Sequence, residues 1–124
     1  MPLLSKDASG NMLEGVGSQT VAVETVAAAG TVIANATAIS ANCGLALVTG
    51  ADDTKGVVLP ATVPGKIVRV YNNAATAGLK LYPAINSTLN DGTANAALVL
   101  EGRFLATFVA TSSTNWAAAF TVNA

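Results

Sequence analysis

The side chains best suited to chemistry are few and scattered along the chain. There is no histidine, so the commonest general base and the commonest metal ligand are missing. Ser-His-Asp, Cys-His and His-containing zinc sites are therefore excluded. The one cysteine, Cys43, has no partner for an intrachain disulfide and reads as a reduced, buried small hydrophobe. Three groupings remain. Asp52-Asp53-Thr54 offers oxygens of the kind a hard cation such as Ca²⁺ takes, but between Gly50 and Gly56 the run reads better as a solvated turn. Asp91 and Glu101 are the two carboxylates a glycosidase would need, yet both fall at turns. Tyr71, Tyr82 and Trp116 could form a sugar-stacking platform, although such rings more often anchor a core or an interface. Gly15 and Gly17 do not begin a G-x-G-x-x-G phosphate loop. The expectation is a non-enzyme without a cofactor or a bound metal.

The elements that would position these residues are strands. Residues 1–25, with Gly10, Gly15 and Gly17, show no sustained period and read as an N-terminal arm, with residues 26–124 as one all-β domain. Val21 to Ala29 mixes strand-like alternation with an alanine run and is read as extended. Thr31-Val32-Ile33 opens a strand, Gly44 to Thr49 makes the next, and Val57-Val58-Leu59 is stopped by Pro60, which has no N–H to give a ladder. From Lys66 to Tyr71, Ile67, Arg69 and Tyr71 face one way and Val68 and Val70 the other. Leu79 to Tyr82 alternates again until Pro83, and Asn90-Asp91-Gly92 supplies residues that accept positive φ in a tight turn. Leu98-Val99-Leu100, Arg103 to Thr111 and Trp116 to Val122 complete roughly eight or nine strands, with turn signals about every 8 to 12 residues. That spacing predicts a small antiparallel β-sandwich or barrel, jelly-roll-like or β-tulip-like.

Strand faces and composition then point to association. Hydrophobic residues make up 52% of the 124 residues, with alanine the commonest, while charged residues make up only 10%, well below the roughly 25% of a typical soluble domain. Phe104, Ala106 and Phe108 line one side of their strand, and Leu105, Thr107 and Val109 line the other, where a solvated face would carry charges. Both faces want cover, and the expected cover is other copies of the chain in an oligomer. The residues expected to anchor the fold or its interfaces are Tyr71, Leu79, Leu81, Tyr82, Pro83, Phe104, Phe108 and Trp116. Nucleic acid is not an expected partner, because the net charge is −1 and Lys6, Lys55, Lys66, Arg69, Lys80 and Arg103 stand singly. A membrane is not expected either: polar residues and glycines interrupt every apolar run, and the aromatic girdles of an outer-membrane barrel are missing. The first seven residues lack the pattern of a signal peptide, so assembly in a cytoplasm is the expectation.

The stretch from Asp53 to Val122, a little over half the chain, resembles a β module of small tailed-bacteriophage structural proteins. These include capsid decoration (cement) proteins and some head-fibre and tail-fibre pieces. The resemblance is carried by Gly56-Val57-Val58-Leu59-Pro60, Gly65 with Ile67-Val68-Arg69-Val70, and Asn72. It continues through Leu79-Lys80-Leu81-Tyr82-Pro83-Ala84, Asn90, Asn95-Ala96-Ala97, Leu100, Gly102, Phe108 and Asn115-Trp116. Where such modules often place a glycine after the Tyr-Pro-Ala step, this chain has Ile85-Asn86, and Asn86 is expected to take the left-handed conformation instead. The resemblance implies an all-β subunit, usually a homotrimer. It would be seated on the outer surface of a phage head, clamping neighbouring major capsid proteins in a virion assembled in the host cytoplasm. The alternative it leaves open is a fibre or tail component, or a glycan-binding module used in host attachment.

Overall fold

The computed structural model describes residues 21–122, and the arm expected over residues 1–25 lies outside them except for its last few residues. Those residues are already strand: β1 is Val23–Ala27. After Gly30, which takes a left-handed φ of 71°, the chain does not form the strand expected at Thr31-Val32-Ile33. It makes a single 3-10 turn, Ile33–Asn35. The carbonyl of Thr31 is held by two donors, Lys80 Nζ at 3.3 Å and the Tyr82 hydroxyl at 3.2 Å. These tertiary bonds override the local β-propensity of Thr-Val-Ile.

The remaining elements are β2 (Thr37–Ala38), β3 (Leu45–Thr49), β4 (Gly56–Val58), β5 (Ile67–Asn72) and β6 (Leu79–Tyr82). They are followed by β7 (Thr88–Leu89), β8 (Leu98–Leu100), β9 (Phe104–Ala110) and β10 (Asn115–Val122). Among the described residues ten strands make two sheets: a larger one in the order β1-β3-β5-β9-β10-β7 and a smaller one in the order β2-β4-β6-β8. From β1 to β6 the chain alternates between them, and each return is parallel to the strand before it. Registered partners stand 22 and 24 residues apart in the larger sheet (Val23 with Leu45, Leu45 with Arg69). In the smaller sheet the offsets are 20 and 24 (Thr37 with Val57, Val57 with Leu81). The chain therefore winds as three turns of a short two-sheet β-solenoid. Antiparallel strands then close it: β8 lies against β6, β9 against β5, and β10 against β9.

This corrects the expected antiparallel sandwich or barrel. The fold is all-β, but five of its eight ladders are parallel. Alternation and turn residues look alike in either sense of pairing. Here the polar segments 50–55 and 60–65 do not turn hairpins; they carry the chain from one sheet to the other. The facing sides of the two sheets enclose the core, in which Val48, Val70, Leu79, Leu81, Phe108 and Trp116 are fully buried. Burying a side chain of this size stabilises by about 1.5–3 kcal/mol. In β5 the two faces separate as the alternation expects, and the inward one is Val68 and Val70, both buried, while Ile67 is exposed.

Candidate functional site

The polar side chains that might have done chemistry are committed to the backbone. Asp52 Oδ1 accepts from the N–H groups of Thr54 (3.0 Å) and Lys55 (3.1 Å) and from the Thr54 hydroxyl (2.6 Å). Those bonds, the hydroxyl's foremost, hold the Asp52 carboxyl below its usual range. Asp53, at a φ of 74°, turns away to accept from the Gly78 N–H at 2.6 Å. The two neighbouring carboxylates thus serve different backbone groups, as a turn requires. Among the described residues no three His, Cys, Asp or Glu side chains gather as a metal site would need.

Asparagines do the same work deeper in the fold. Asn72 is fully buried; its Nδ2 donates to the carbonyls of Ala77 (2.8 Å) and Leu100 (2.9 Å), and its Oδ1 accepts from the Ala74 N–H (3.0 Å). Asn115 Oδ1 accepts from the Thr88 hydroxyl and the Asp91 N–H, while its Nδ2 donates to Thr111 Oγ1. Asn90 Oδ1 accepts from the Ala118 N–H, and Asn95 Oδ1 from the Asn86 N–H. Asp91 and Glu101 sit on separate turns, 90–92 and 101–103, and the Asp91 backbone is itself fixed by Asn115. Sequence reasoning singled out Asn72 and Asn115 through the resemblance and missed that, at the ends of β5 and β10, they tie loops together. A buried asparagine has the same local signature as a turn asparagine.

The three rings proposed as a platform do not share a surface. Trp116 is fully buried and its Nε1 donates to the Pro60 carbonyl at 3.2 Å. Tyr82 is buried in the smaller sheet. Tyr71 alone lies on the outward side of the larger sheet, where it is half-buried. Of the other anchors, Leu79, Leu81, Pro83 and Phe108 are buried, and Phe104 is half-buried against the core. Cys43 is buried, and that burial, with Glu24 nearby, raises its thiol pKa above the ordinary value.

What the strands do assemble is an outward face on the larger sheet. Register aligns Val23, Leu45, Arg69, Thr107 and Ala119 in one row across five strands. Thr25, Leu47, Tyr71 and Leu105 form the next row, and Ile67, Val109 and Ala117 a third. Every one of these residues is partly or largely open to solvent, Val23 at 54% and Ile67 at 47%. Among the described residues of these rows Arg69 carries the one charge. A face of this composition can bind another apolar surface. Compared with protein families and with curated proteins, the chain finds no match in either.

Proposed function

We propose that this chain is a structural virion protein, a homotrimeric capsid decoration protein. On this reading it sits on the outer surface of a phage head and stabilises contacts between major capsid proteins. The observation that carries the structural reading is the outward face of the larger sheet, with three rows of apolar and hydroxyl side chains around a single arginine. The resemblance over Asp53–Val122 supplies the setting. The inward commitment of the asparagine and aspartate side chains to turns supports a rigid clamp in preference to a catalyst.

Co-sedimentation with capsids stripped of their decoration tests the reading. The full chain is expected to pellet with the capsids and to raise the temperature at which they rupture. A chain that stays in the supernatant and instead binds host-cell glycans would make it a fibre or attachment component.

A further inference from the structure

We infer that the outward face of the larger sheet is the surface through which copies of this chain bind one another, with Leu47, Tyr71, Arg69 and Leu105 at its centre. The inference deepens the proposed function and rests on its homo-oligomeric part. Its first support is composition by position. Interface centres are enriched in Tyr and Arg and depleted in Lys, Asp and Glu. The central rows hold Tyr71 and Arg69 beside Leu45, Leu47 and Leu105. Lys80, by contrast, is paired with Val99 on the smaller sheet.

Size is the second support. Five strands, β1 to β10 in sheet order, each 5 to 8 residues long, cover about 500 Å² in projection at about 4.8 Å between strands and 3.3 Å per residue. That is of the same order as the roughly 600 to 800 Å² per partner that stable interfaces bury.

The third support concerns which partner. The face is open on every folded copy, and an uncovered apolar patch of several hundred Å² drives non-specific association. Another copy of the same chain is the one covering surface supplied in fixed proportion wherever the chain is made. It carries a matching flat, apolar, hydroxyl-dotted face. Arg69 adds a constraint: three copies around a threefold axis cannot gather their guanidinium groups on it, so each face meets its two neighbours off-centre, with the arginines towards the rim.

Sedimentation equilibrium of the full chain at micromolar concentration tests this, with Leu47→Lys and Thr107→Lys as face variants and Val99→Lys as the control on the other sheet, where Val99 is 56% exposed. Wild type and the control are expected to be oligomers. The face variants are expected to be monomers with native circular dichroism, their dissociation constants raised about a hundredfold or more. Folded face variants that remain oligomers would overturn this inference and leave the homotrimer standing on another surface. A monomeric wild type would overturn the homotrimer as well. Carbene footprinting of wild type across a dilution series needs no variant. Face residues should be labelled more strongly as the protein is diluted; labelling that stays constant, including protection of the face within a monomer by residues 1–20, would overturn the assignment.

Discussion

Asn72 shows how much of a corner one side chain can hold. It sits at the end of β5 and closes the 73–78 loop on one side while reaching the Leu100 carbonyl on the other. Asn72→Ala would leave the buried Leu100 carbonyl and the partly buried Ala77 carbonyl and Ala74 N–H without their partner. The expected loss is about 3 kcal/mol, read as a lower urea midpoint at unchanged slope. A loss below about 1 kcal/mol would mean that water replaces the amide. Other residue-scale features follow from side-chain chemistry alone. Asn86, standing where the resembling modules have glycine, takes a φ of 66°, and Asn90 and Asp91 take 53° and 58°. These positions were legible because Asn and Asp tolerate the left-handed region locally. Arg103, at a φ of 65°, was not: its conformation is imposed by the Glu101–Phe104 turn and by the bond from its N–H to the Asn72 carbonyl, and nothing in its own chemistry announces it.

At the scale of elements, Gly56 marks a close approach between turns of the coil. A Cβ there would lie 2.7 Å from the Lys80 carbonyl oxygen and 2.8 Å from a ring carbon of Tyr82. The carbonyl belongs to the neighbouring strand β6 and cannot swing aside, so Gly56→Ala is expected to cost about 2–3 kcal/mol. Thermal unfolding of that variant should show it; an unchanged melting temperature would mean that β4 and β6 can separate freely. The longer strands, and the two sides of β9, were readable from alternation: Phe108 and Ala106 point in, and Thr107 and Val109 point out. The sense of pairing was not readable. Val23 to Ala27 lies over Leu45 to Thr49, and Leu45 to Val48 over Arg69 to Asn72. Stacked positions such as Val48 and Asn72 share burial but not chemistry, so the repeat of 22 to 24 residues leaves almost no trace in identities.

For the whole molecule, the candidate surface was half visible in advance. Leu105, Thr107 and Val109 announced an uncharged outer side, but joining them to Leu47 and Tyr71 required the parallel stacking of β3 on β5. On the reading of residues 1–25 as an arm, deleting residues 1–20 is expected to leave the melting temperature of the domain nearly unchanged. On the decoration reading they reach across a neighbouring capsid subunit, and the deletion weakens attachment. Trp116→Ala, which empties a fully buried site, should instead cost about 3–5 kcal/mol of stability. Equal pelleting of the truncated and full chains would dismiss the arm. Finally, β9 lies beside β5 although its registered partners are 34 to 42 residues away (Tyr71 with Leu105, Ile67 with Val109). The consequence is kinetic. During synthesis the three turns can wind as they emerge, but the open edge of β5 waits for residues 104–110 to leave the ribosome. Pairings this remote in sequence close slowly, on the order of milliseconds to seconds. For that interval the nascent chain has a hydrogen-bonding edge to offer to any strand nearby, and β9 ends the interval by occupying it.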